Sequence, residues 1–219
     1  VDTEGRHHDR VARRREKFSM KAGIALWILA LGLAAGCGWF ETRDPLPGEP
    51  VAPVPWESPI EPETVLANMD SAMAYLGRGV TNYVKCFGDT FHFYPYANDA
   101  DVLAQQGKPG AYDDWTLSVE AEVVDLILNS ALSVDVQFEG HDVIADNTEY
   151  KIWEEQYTLD VQFRNGGQGT YEGVARLEIR IDPSQADQWF ITRWQDFLRP
   201  GQPDSVQTWG WLRGQERQI

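Results

Sequence analysis

Cysteine is scarce: Cys37 and Cys86 are the only two in 219 residues, so no framework of disulfides braces this chain. Histidine is nearly as rare. Of the four, His7 and His8 stand at the start and His92 and His141 lie far apart in the body, so no His and Cys set with zinc spacing exists. Cationic side chains are also short, with 19 Lys and Arg against 34 Asp and Glu and a formal net charge of −15. Binding to phosphate backbones depends on neutralisation by Lys and Arg, which excludes nucleic acid as a partner and makes adsorption to anionic headgroups unfavourable. Asp99-Ala100-Asp101 and Asp113-Asp114 lack the spacing of a calcium loop. Gly166-Gly167-Gln168-Gly169 falls between strand patterns and not before a helix, so it cradles no phosphate. No metal and no cofactor are expected.

Long apolar runs are missing too, save one. Ala22 to Ala35 follows Arg13-Arg14-Arg15, Lys17 and Lys21 and has the length of a signal-peptide core, short of the roughly 20 residues of a spanning helix. It closes on Leu33-Ala34-Ala35-Gly36-Cys37, which resembles the lipobox of bacterial lipoproteins, with Ala34 where Leu is commoner. The resemblance implies that Cys37 is diacylated, the lipid (palmitate-type chains) being the membrane attachment, and that residues 1–36 are removed. Gly38 after the cysteine, in place of Asp, resembles lipoproteins sent to the outer membrane. Competing readings are a plain secretory signal, an uncleaved anchor, or a twin-arginine signal at Arg14-Arg15. Residues 1–19 are polar and aperiodic, so translation is expected to start at Met20. Acylation of Cys37 leaves Cys86 without a partner, and its apolar neighbours predict a small buried hydrophobe.

Residues 37–62 carry Pro45, Pro47, Pro50, Pro53, Pro55, Pro59 and Pro62 and read as an extended linker, dispensable for folding, with Trp39, Phe40 and Trp56 free to rest on a bilayer or on the domain. The folded domain is expected over 63–198. Val65, Leu66, Met69, Ala72, Met73 and Leu76 predict a first helix, and Val80, Tyr83, Val84 and Phe87 a second. Phe91 to Tyr94 reads as a short strand, 95–114 as a long loop, and Trp115 to Asn129 as a third helix capped by Asp114. The period then changes to two: Leu132, Val134, Val136 and Phe138; Trp153, Tyr157, Leu159, Val161 and Phe163; Tyr171, Ala175, Leu177, Ile179 and Ile181; and finally Trp189 to Leu198. Glu139-Gly140-His141-Asp142 reads as a polar turn and 199–219 as a tail without period.

Asn82-Tyr83-Val84-Lys85-Cys86-Phe87-Gly88-Asp89-Thr90-Phe91 and Trp189-Phe190-Ile191-Thr192-Arg193-Trp194-Gln195-Asp196 resemble the second-helix and closing-strand segments of the nuclear transport factor 2-like, or SnoaL-like, superfamily. The resemblance spans about residues 60–198. It implies an α+β cone, a curved antiparallel sheet wrapped around N-terminal helices, with a pocket at its wide end. Both segments fill the core and neither is a catalytic signature.

His92 with Asp196 is the one acid/base pair the sequence suggests; the plainer reading is two surface residues. Arg193 shares parity with Trp189 and Ile191 and is either a polar group in the pocket or a surface residue after a β-bulge. Tyr83, Trp153, Tyr157 and Trp189 are the pocket candidates. The leading reading is a non-catalytic envelope lipoprotein that binds a small apolar ligand or a protein neighbour. The alternatives are an acid/base enzyme of the isomerase, dehydratase or cyclase kind, and a purely structural surface protein with a filled cone.

Overall fold

The structure, a computed structural model, describes residues 52–218. The signal segment, Cys37 and the aromatic residues Trp39 and Phe40 lie outside the described residues. Among the described residues no helix is long and apolar enough to cross a membrane.

Helix α1 spans Pro62–Ala74 and begins with proline, whose fixed φ and missing N–H suit the first turn of a helix. It buries Val65, Leu66, Met69, Ala72 and Met73, the face set by their spacing. Gly79 follows because a Cβ there would come within 1.7 Å of the Ala72 carbonyl oxygen. Helix α2 is Val80–Val84, and strand β1 runs over Phe87–Tyr94, so Phe87 opens the strand instead of closing the helix.

The segment expected as a loop contains helix α3, Ala97–Gln105. Its Asn and Asp content argues against a helix in isolation. Burial of Asp99 and Leu103, one turn apart, gives it an inner face. Helix α4 is Leu117–Ser130 with Thr116 at its N-cap, and Asp114 is not the cap but sits at φ 52°.

Strands β2 (Ala131–Asp146), β3 (Tyr150–Phe163), β4 (Gln168–Asp182) and β5 (Gln188–Phe197) complete the sheet, whose order is β1-β5-β4-β3-β2. The four long strands are antiparallel, whereas β1 lies parallel to β5. The expected turn at 139–142 is instead an irregularity inside β2, where pairing jumps between Phe138 and His141 and Gly140 takes φ 108°. A second shift after Ala131 puts Ala131 inside and leaves Leu132 exposed, reversing the parity read for Leu132.

The strict alternation also fails once in β5. Pairing with β4 shifts between Ile191 and Arg193, so Trp189 and Ile191 face inward, Arg193 turns out, and Trp194 and Asp196 are again buried. The inner faces of β3, β4 and β5 and helices α1 and α4 enclose one core.

Both flanks expected to be peripheral belong to this unit. Asn68 bonds the Glu57 backbone in both directions, at 3.0 and 2.7 Å, Asn82 holds the carbonyls of Val54 and Pro55, and Trp189 N–H donates to the Pro59 carbonyl at 2.8 Å. Trp56 packs against the core, with the Lys85 ammonium 5.3 Å from its ring centroid. The described part of the linker is therefore a docked strap. At the other end the tail forms helix α5, Trp209–Glu216, with Trp209, Leu212 and Arg213 buried.

Candidate functional site

Helix α5 occupies the space between the helices and the inner face of the sheet. Gly210 and Gly214 allow its close approach: a Cβ would stand 2.7 Å from Asp196 Oδ2 in the first case and 2.5 Å from Leu103 and Tyr112 in the second. The Trp209 ring meets Trp194 edge to face at 5.0 Å and Tyr157 at 5.9 Å.

Arg213, 1% exposed, reaches across the core. Its Nε and Nη2 donate to Glu120 Oε1 at 3.0 and 2.9 Å, and Nη2 also donates to the Tyr83 hydroxyl at 3.0 Å. Tyr83 in turn donates to the same Glu120 oxygen at 2.6 Å, and Trp115 Nε1 donates to Oε2 at 2.8 Å. The guanidinium lies over the rings of Trp194, Phe93 and Trp209, 4.1 to 4.7 Å from their centroids. Burial disfavours the Arg213 charge, yet Glu120 and the other acidic partners hold its pKa above the ordinary value. A buried ion pair keeps its charge only with such partners.

The start of α5 is held by a second set. Thr208 caps it, accepting from Trp211 N–H, and its hydroxyl donates to Asp99 at 2.6 Å, with Asp196 3.3 Å away. Asp196 accepts from Gly210 N–H and from Trp194 Nε1, both at 2.6 Å. Tyr157 OH accepts from Trp209 N–H at 2.9 Å. Two carboxylates at a helix N-terminus complement its exposed N–H groups, but burial pushes both upward, Asp99 to about 6.

A different arrangement sits at the far edge of the sheet. His141 on β2 faces its cross-strand partner Glu155; Nδ1 lies 3.2 Å from Glu155 Oε2. Glu155 Oε1 accepts from Gly140 N–H at 2.8 Å, and the imidazole stacks on Trp153 at 3.9 Å and 13°. Desolvation raises the Glu155 pKa. His141 lines a surface recess of about 180 Å³ together with Trp153, Trp189, Glu61, Glu63 and the ion-paired Lys151 and Asp146. Among the described residues no group of three or more His, Cys, Asp and Glu is placed to hold a metal ion.

No family model matches the chain, and no curated protein matches it. Solved structures do. A candidate aromatic ring hydroxylase from Novosphingobium aromaticivorans superposes with a TM-score of 0.50 at 12% identity, over 63% of this chain and 87% of that one. The Δ5-3-ketosteroid isomerase of Mycobacterium sp. gives 0.43 at 14%, over 65% and 95%. A nuclear transport factor 2-like protein from Salmonella enterica gives 0.45 at 12%, over 63% and 85%. The fold is an α+β cone, a five-stranded sheet curved around helices, and the first of these structures shares it. At these identities the likeness is one of fold alone.

Within this cone, the sequence-suggested pair is not assembled. His92 is exposed on the outer face of β1, its Nδ1 3.3 Å from the Trp115 carbonyl, whereas Asp196 is buried on the inner face. Arg193 lies outside as well, its guanidinium 4.4 Å from the Tyr94 ring centroid. Of the four pocket candidates, Tyr83 and Tyr157 are fully buried against α5, while Trp153 and Trp189 border the surface recess. Cys86 is buried and desolvation raises its thiol pKa, as expected of an inert cysteine.

Sequence reasoning missed Glu120, Arg213, Asp99, Thr208 and the His141–Glu155 pair. Glu120 stands in the first turn of α4, where an acidic residue is common and its burial leaves no local sign. The signal for His141 was present only as Gly140, the residue that lets the strand bulge there.

Proposed function

We propose that this chain is an envelope lipoprotein, attached to the outer membrane through lipid on Cys37, whose cone domain is a binding module working through its outer surface. The observation that carries the reading is the closure of the cone by its own C-terminus: Trp209, Leu212 and Arg213 fill the interior. The interior polar groups that an acid/base enzyme would turn toward a substrate are engaged instead with α5. With those side chains inside the cone, the reading narrows to a protein neighbour in the envelope. The acidic surface and the signal-peptide pattern support it, and nucleic acid stays outside it.

Mass spectrometry of protein purified from membranes tests both halves. The expected result is a diacylated Cys37 peptide and no small molecule held by the native protein. An unacylated Cys37, or a stoichiometric apolar ligand released on unfolding, would sink the reading. A second reading, an enzyme, is favoured by one observation: the imidazole–carboxylate pair of His141 and Glu155 beside a recess.

A further inference from the structure

Resting on that second reading, we infer that His141 is a general base for hydrolysis of a small acyl ester admitted to the recess, with Glu155 as its positioning residue. The geometry has four parts. Glu155 takes Nδ1 at 3.2 Å, leaving Nε2 without a protein partner among the described residues. Gly140 N–H fixes the other Glu155 oxygen at 2.8 Å. The Trp153 face, stacked at 3.9 Å, stops the ring from turning. The imidazole side chain keeps 25% of its surface exposed while Glu155 keeps 2%, so the base is reachable and its orienting group is dry.

This is the arrangement that base catalysis by histidine needs: one ring nitrogen held by a carboxylate, the other presented to the reactant. The recess of about 180 Å³ opens to solvent and admits only a small molecule. Water is therefore the reactant at hand, which favours hydrolysis over a reaction that requires its exclusion. Nε2 takes a proton from water as the water oxygen bonds to the acyl carbon. The bond from that carbon to the alcohol oxygen then breaks, and the imidazolium returns the proton to the departing alkoxide. An acid and an alcohol result, with no redox change. Lys151, lining the same recess, is paired there with Asp146, so its ammonium is shared with that carboxylate and is not a free donor to the developing oxyanion.

The test uses the full chain and p-nitrophenyl acetate as the probe ester. Wild type should release p-nitrophenol faster than free imidazole at equal concentration, and H141Q should fall to the buffer rate. E155Q should lose about tenfold with its folded fraction unchanged by circular dichroism, and E155D should restore part of that loss; a merely structural role would lower turnover only in step with the folded fraction. H92A should match wild type. Because the Gln variants can fail to fold, wild-type protein is also treated with diethyl pyrocarbonate and the modified histidines are mapped by mass spectrometry. Modification of His141 in step with loss of hydrolysis supports the assignment. Turnover no faster than free imidazole, turnover retained by H141Q, or hydrolysis lost only as His92 is modified overturns it.

Discussion

Arg213 and Glu120 stand 93 residues apart in sequence and 2.9 Å apart in space, each 1% exposed, and together they fasten the C-terminal helix into the middle of the cone. Neither charge is tolerable there alone. Attraction between them, two further donors on the carboxylate and three aromatic faces around the guanidinium offset the loss of water.

Removing one partner should therefore be far worse than removing both. Arg213→Met is expected to destabilise the domain by about 3–5 kcal/mol, since it strands Glu120 in a dry site. The double variant Arg213→Met with Glu120→Gln should recover a large part of that loss. Urea denaturation of the four proteins of the cycle measures it; additive losses would mean that the two side chains do not act as a pair.

Gly214→Ala would be mildly stabilising in a free helix. Here its Cβ would press on Leu103 and Tyr112 at 2.5 Å. The variant should lose on the order of 1–3 kcal/mol, the usual range for overpacking. A raised melting temperature would show that α5 does not sit in the core.

Asp99 sets a pH dependence. Burial first, and the neighbouring Asp196 charge as well, raise its pKa to about 6, against the pull of Thr208. A raised carboxyl favours the folded state while it is protonated, so its contribution is complete below pH 4 and is lost as pH rises through about 6. Asp99→Asn, which stays neutral, should gain on the order of 2 kcal/mol relative to wild type between pH 4 and pH 8. Parallel pH–stability curves for the two proteins would refute this origin.

The strap is expected to matter for stability, contrary to the dispensable linker that its prolines suggest. Asn68→Ala removes both bonds to the Glu57 backbone and should cost about 1–3 kcal/mol, the net worth of two hydrogen bonds. Deleting residues 52–60 should lower the melting temperature of the domain clearly. An unchanged melting temperature would show that the strap contributes nothing.

Trp189, 6% exposed on the inner face, should cost about 3–5 kcal/mol on truncation to Ala. His92→Ala, on the outer face, should change stability by less than about 0.5 kcal/mol. Chemical denaturation distinguishes them, and equal effects would contradict the strand parity.

The helix α1 face, the pairing segments of β3 and β4 and the inward Trp189 and Ile191 were all legible in the sequence, because each depends on a local period that neighbouring residues share. That legibility ends wherever the backbone breaks the period. One extra residue at Thr192 turned Arg193 outward, and Gly140 made of an apparent polar turn a bulged strand that delivers His141 to Glu155. It also ends where an element is stable only through distant contacts. Helix α5 carries two glycines and a poor pattern; it exists because Glu120, Asp196, Tyr157 and Thr208 receive it, and residues so far apart in the chain leave no mark on each other's local sequence. Composition and periodicity determined an acidic α+β chain behind a signal-like segment, and the cone was implied by the family resemblance. Only the tertiary structure decided that the cone is filled by its own tail, because that closure rests on charge and hydrogen-bond partners whose pairing has no period to read.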